Sequence, residues 1–209
     1  MSALNRIAYF QNRRDEIPNQ VLARELAQSR DNEGIREIAE NLSNKDRKIA
    51  NDCIKVMYEI GYLAPDLIAE YAKEFLKLMT SRNNRMAWGT MLTLSTIAAI
   101  KADEIYPHIA EIMKVMEKGS VITMDNGVKI LARVAAQKDE YRQALFPSLL
   151  EILRTCRPKS VAQYSESILV AVEAGHSQEF IRILKTRLDD LQGAQISRLK
   201  KVIREAENK

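Results

Sequence analysis

Glycine and proline are scarce in this sequence: seven and five among 209 residues. A protein of short strands needs turn residues every few positions. Their scarcity argues for helices joined by short connections. Cysteine is rarer still. Cys53 and Cys156 stand far apart, each on an apolar stripe, and no C-x-x-C occurs. Neither zinc nor dithiol chemistry is indicated. Both read as small core residues, free thiols suited to a reducing compartment. The two histidines, His108 and His176, have no cysteine or histidine at ligand spacing, which excludes the H-E-x-x-H arrangement. His108 is expected to be a partly buried structural histidine, and His176 a capping or turn residue. No G-x-S-x-G elbow and no glycine-rich phosphate loop is present. The acidic pairs Asp103/Glu104 and Asp139/Glu140 fall near helix starts, where they complement the helix dipole. No catalytic residue, cofactor or metal is assigned, and the chain does not read as an enzyme.

Long apolar runs are also missing. The most apolar stretch, Met91–Ile100, is far too short to span a bilayer. The first ten residues lack a signal-peptide layout, so a cytoplasmic protein with no membrane contact is expected. No block of like charges occurs. The balance of 32 basic and 28 acidic residues gives a net charge of +4 and a pI of about 9.0. Such a value speaks to solubility and non-specific attraction rather than to a polybasic tail. With 46% hydrophobic and 29% charged residues, the chain belongs among folded proteins.

What is present is a recurring apolar stripe. Taking Ile68, Ile105, Leu145 and Phe180 as equivalent starts, one turn later come Ala72, Ile109, Leu149 and Leu184. The next turn carries Phe75/Leu76, Ile112/Met113, Ile152/Leu153 and Arg187/Leu188, and the last Met79, Met116, Cys156 and Leu191. Spacings of three and four place these on one helical face, whereas a strand would alternate by two. A second helical pattern precedes each copy: Ile49, Cys53, Ile54, Met57 and Ile60; Trp88, Met91, Leu92, Ser95 and Ala98; Val128, Leu131, Ala132 and Ala135; Val161, Tyr164, Ile168 and Val172. The unit is helix A, turn, helix B. One such hairpin cannot bury both apolar faces, so neighbours must stack. Trp88, on the A stripe, is expected in the core.

Asp46-x-x-Ile49-x-x-x-Cys53 and Asp125-x-x-Val128-Lys129-x-x-Ala132 resemble the first helix of a HEAT repeat. Tyr106-Pro107 and Phe146-Pro147 resemble the opening of its second helix. The chain departs from that pattern at Ala50 and Trp88, where a basic residue is usual, and in the fourth copy, which lacks the Asp. The resemblance implies an all-α fold, an α-α superhelix, as a HEAT-like or armadillo-like solenoid of four to five hairpins. Its inner wall is expected to be made by the B helices.

The expected organisation is a single helical-repeat domain over residues 1–209. An atypical N-terminal unit covers 1–43, repeats cover 44–81, 82–119, 120–157 and 158–193, and a capping helix covers 194–209. Within the first unit, Leu4–Arg14 reads as a short amphipathic helix, a second helix follows Pro18, and Asp31 or Asn32 caps a third, Ile35–Leu42. The segment Ser43-Asn-Lys-Asp46 caps the first A helix. Gly61, Gly119, Gly175 and Gly193 sit near helix ends, where left-handed C-caps are expected. In the last helix Ile196, Leu199, Val202 and Ile203 face inward, while Lys200, Lys201 and Arg204 face water.

The candidate binding residues are basic: Arg82, Arg85, Lys129, Arg133, Arg154, Arg157 and Lys159. Lys129 and Arg133 are four apart and share a helix face. Aligned in successive repeats, these cations would track phosphates, with binding that weakens as salt rises. Two functional readings stand. The first is a non-catalytic scaffold whose concave wall binds a protein or peptide. The second is nucleic-acid binding, through resemblance to HEAT-like DNA glycosylases for alkylated bases. Neither the partner nor the oligomeric state follows from the sequence.

Overall fold

The structure, a computed structural model, describes residues 2–209. Among these residues no strand occurs, and the chain folds into two compact units, Met1–Asn126 and Gly127–Lys209. The first unit holds α1 (Ile17–Ser29), α2 (Asn32–Glu40), α3 (Arg47–Leu63), α4 (Ala72–Leu78), α5 (Asn84–Ile97), α6 (Ala102–Ile105) and α7 (Ile109–Lys118). Helix α8 (Val121–Ala135) crosses the boundary. The second unit continues with α9 (Asp139–Thr155), α10 (Pro158–Ile168), α11 (Ala174–Thr186) and α12 (Ala194–Glu207).

Helix starts follow local chemistry. The Asp31 carboxylate accepts from the Gly34 amide at 3.0 Å, the Asp46 carboxylate from Lys48 at 2.8 Å, and the Asn83 amide oxygen from Arg85 at 3.2 Å. Each meets an amide that the helix itself cannot. The segment Leu4–Arg14 is not the helix its pattern suggested; only Leu4–Arg6 forms a 3-10 turn. Its amides are spent elsewhere. Ala8 donates to the buried Asn19 side chain at 2.8 Å, and Tyr9 donates to Asp52 at 2.8 Å. Asn19 in turn donates to Asp52 at 2.9 Å, which clips the segment to α1 and α3.

The apolar stripes are the core. Ile54, Met57, Ile60, Ile68, Phe75, Met91, Ile105, Ile112, Val128, Leu131, Leu149, Val161, Ile168, Phe180 and Leu184 are all buried. Trp88 departs from expectation: it is half-buried rather than in the core. The B element is also more divided than a single helix. A 3-10 turn, Pro65–Tyr71, leads into α4, and α6 with a second 3-10 turn, Tyr106–His108, leads into α7. Pro107, lacking an amide hydrogen, sits in that second turn. Pro147 instead lies inside a continuous α9.

In the first unit the A helices α1, α3 and α5 pack along one another, whereas α2, α4 and α7 touch at few points and leave hollows between them. Glycine makes the crowding feasible. A methyl group on Gly61 would lie 2.3 Å from Thr96 Oγ1, and one on Gly89 2.9 Å from Ile54 Cγ1. Gly61 is therefore a close-approach residue inside α3 rather than a C-cap. Gly175 lies in the first turn of α11, and Gly119 closes α7 with an extended backbone. Only Gly193, among these four, has the left-handed φ, of 56°, and it precedes α12 as its N-cap.

In the second unit α12 lies beside α10, and Arg198 grips Glu166 through Nε at 2.8 Å and Nη2 at 2.6 Å. Leu199, Val202 and Ile203 are buried and Lys200, Lys201 and Arg204 exposed, as the pattern required, whereas Ile196, also expected inward, is only half-buried. Arg187 interrupts the fourth apolar stripe for a reason. It is buried, and it donates to the carbonyls of Arg154 at 2.8 Å and Cys156 at 2.7 Å, closing the C-terminal end of α9.

Overpacking the α3–α5 contact has a predictable cost. Gly61→Val is expected to lower stability by about 1–3 kcal/mol, read as a lower urea midpoint. Gly175→Ala, where no atom lies within 4 Å, is the control and should leave the midpoint unchanged or slightly raised. Equal midpoints for Gly61→Val and the parent would show that the close approach is dispensable.

Candidate functional site

Helix α3 is buried on most of its circumference, and what remains exposed is a narrow polar stripe. Lys48, Asn51, Asp52, Glu59 and Tyr62 recur at three- and four-residue spacing along it, with the buried Lys55 in the same row. Arg85 and Trp88, one turn apart on α5, stand alongside. Glu16, the residue preceding α1, completes the group.

These side chains form one charge-balanced cluster. The Glu16 carboxylate accepts from Arg85 and pairs with Lys55 Nζ at 2.9 Å. Lys55 Nζ also reaches Glu59 at 2.6 Å and lies 4.8 Å from the Tyr58 ring centre. Arg85 sits over Trp88 at 5.6 Å. Tyr58 lies between two other rings, Trp88 at 6.0 Å and Tyr62 at 6.3 Å. Beside the cluster opens a polar hollow of about 720 Å³, lined by Tyr9, Asn12, Arg13, Asp15, Asn51 and Arg85 among others.

Burial alone would push the Lys55 ammonium toward neutrality, yet its bonds to Glu59 and Glu16 outweigh that and raise its pKa above the usual lysine value. Burial likewise opposes the charge on Glu16, but Arg85 and Lys55 hold its pKa below the usual 4.5. Both groups stay ionised at neutral pH, each satisfied by the other. The Cys53 thiol is pushed up to about 12 by burial and is inert as a nucleophile.

The basic residues singled out by sequence do not share one environment. Arg85 belongs to the cluster, while Arg82 is exposed and lines a separate hollow with Lys114 and Lys118. Lys129 and Arg133 are half-exposed on α8. Arg154, on α9, is held by Glu151 at 3.2 Å and Glu179 at 2.7 Å. Arg157 precedes α10 and donates to Ser160 at 3.0 Å, and Lys159 is exposed in the first turn of that helix. His108 is exposed rather than partly buried, with Nδ1 3.7 Å from Glu111. His176 caps nothing; its ring packs 4.8 Å from that of Phe146. Among the described residues no group of three His, Cys, Asp or Glu side chains could hold a metal, and no helix is long and apolar enough to cross a membrane. Sequence reasoning passed over Glu16, Lys55, Tyr58, Glu59 and Tyr62. The available signal was Lys55, a charge flanked by the apolar residues Cys53, Ile54, Val56 and Met57 in the middle of α3.

No protein-family model matches this chain, and no curated protein matches it in sequence. Solved structures do. A computationally designed armadillo repeat protein for modular peptide recognition aligns with a TM-score of 0.66 at 12% identity, over 97% of this chain and 98% of its own. A designed armadillo repeat protein in complex with the peptide (KR)4 gives 0.66 at 15% identity, over 99% of each chain. An engineered protein gives 0.65 at 14% identity, over 98% of this chain and 58% of its own. At such identities the likeness concerns the fold. This chain has the all-α superhelical repeat fold of armadillo proteins.

The depressed pKa of Glu16 fixes the sign of a pH effect. A carboxyl whose folded value lies below its unfolded value stabilises the fold above the latter and loses that contribution as pH falls through the former. Glu16→Gln is expected to lower the urea midpoint at neutral pH and to flatten its dependence on pH below 4.5, the ordinary glutamate value. A variant whose midpoint follows the parent's at every pH would show that Glu16 is not coupled to folding.

Proposed function

We propose that the chain is a non-catalytic scaffold that holds an extended peptide segment of a protein partner along the A-helix row of its first unit. The observation that carries this reading is the cluster of three rings braced by ion pairs, lying on the crowded row with Trp88 and Tyr62 at the surface. Tryptophan, tyrosine and arginine dominate binding energetics where they are held ready in place. Here Lys55, Glu16 and Glu59 hold Tyr58 and Arg85 without leaving a net charge. The structural neighbours support the reading: one was designed for modular peptide recognition, and another is solved with a peptide bound. The pairing of Arg85 and Arg154 with carboxylates favours a peptide over nucleic acid, because a phosphate-tracking surface needs cations that are free to meet phosphates.

Trp88 is the sole tryptophan, so its fluorescence reports on the site directly. The first probes are an alternating Lys-Arg octapeptide and a displayed library of random peptides. A bound peptide should shift Trp88 emission, and Trp88→Ala should weaken binding about 30-fold, the equivalent of a hot spot worth ~2 kcal/mol, with unchanged far-UV circular dichroism. Peptides that bind Trp88→Ala as tightly as the parent would move the site elsewhere. A library that yields no binder at all would end the scaffold reading.

A further inference from the structure

The B row of the first unit carries a surface of different chemistry. Two hollows meet there, sharing Thr80 and Glu111. The first, about 450 Å³ between α4 and the α6–α7 segment, has more carboxylates than cations in its lining. Lys73 and Lys77 line it with Asp103, Glu104 and Glu111, and Glu104 is already held by Lys101 at 2.6 Å. The second, about 460 Å³ between the α4–α5 turn and α7, is predominantly basic. Arg82, Lys114 and Lys118 line it, and its one acidic lining residue, Glu111, faces His108 at 3.7 Å. None of these three cations has a carboxylate within ion-pair distance, in contrast to Arg85, Arg142, Arg154 and Arg198, which are all matched. Met79, Ala87 and Val115 give the hollow apolar lining, and Thr80, Ser81 and Asn84 supply polar groups at its edge.

We propose that this second hollow binds an acidic peptide segment in extended conformation. Charge complementarity selects an anion, and spacing selects its form. Lys114 and Lys118 are one helical turn apart, which separates their stems by about 6 Å along α7. In an extended chain, side chains two residues apart point the same way and are separated by roughly 6.6 Å. An Asp/Glu-x-Asp/Glu sequence therefore sets one carboxylate against each lysine. A single phosphate fits this row less well, since Lys114 and Lys118 are a full helical turn apart. This inference concerns the opposite helix row from the ring cluster and does not rest on the proposed peptide site there.

The test is fluorescence anisotropy with a labelled Glu-Leu-Glu-Leu-Glu peptide, a Gln-Leu-Gln-Leu-Gln control, and a short DNA duplex and inorganic phosphate as competitors. The acidic peptide should bind at low salt and weaken as salt rises. Lys114→Gln combined with Lys118→Gln should weaken it roughly five- to tenfold, the worth of two exposed ion pairs, and Lys118→Glu further. Trp88→Ala should leave it unchanged. Lys114 and Lys118 are exposed, so their substitution does not put the fold at risk, and far-UV circular dichroism checks Trp88→Ala. Equal binding of the glutamine control, or no effect of the lysine variants, would overturn the proposal. So would stronger binding of the duplex, which would make the hollow a phosphate site, or an equal loss in Trp88→Ala, which would place the peptide on the other row.

Discussion

The first unit depends on how closely α3 approaches α5. Their contact is set by two positions without side chains, Gly61 against Thr96 and Gly89 against Ile54. Tight packing there surrounds α3 with protein and leaves it a thin solvent stripe. On the other row, α4 and α7 are not drawn together in the same way, and hollows open between them. One constraint thus produces two unlike surfaces. The crowded row is narrow, aromatic and charge-balanced, and the open row is grooved and locally basic.

Crowding also explains the electrostatics of the cluster. Lys55 is almost wholly buried, and an isolated ammonium in that position would carry a heavy desolvation cost. It persists because Glu16 and Glu59 converge on it and Tyr58 presents a ring face. Removing one partner strands the others, so the group behaves as a unit. A unit of this kind contributes little net stability but holds the neighbouring rings in defined positions. Pre-held rings are what a binding surface needs, since little order is left to impose when a ligand arrives. That physical argument, with the armadillo fold of the structural neighbours, underlies the functional reading.

Errors of sequence reading were local and share a cause. Leu4–Arg14 has a helical pattern, but Asn19 and Asp52 capture its amides through contacts across the fold. Gly61 reads as a cap from its place near a helix end, yet a neighbouring helix decides its role. Arg187 stands in an apolar stripe because carbonyls some 30 residues earlier in the chain need its guanidinium, which the stripe itself does not reveal. In each case the partner is remote in sequence, and no local periodicity encodes it.

From the sequence alone came the helical class and most of the core, because both follow apolar residues at three- and four-residue intervals along the chain. Hydrophobic burial must follow those intervals in any fold the chain adopts. Tertiary structure alone decided which row is crowded, that Trp88 reaches the surface, that Arg85 is neutralised while Arg82 is not, and that Lys55 is buried with two carboxylates. Those outcomes depend on how far apart packed helices sit and on which charges meet across them. Such distances are fixed only when side chains from separate repeats compete for the same space.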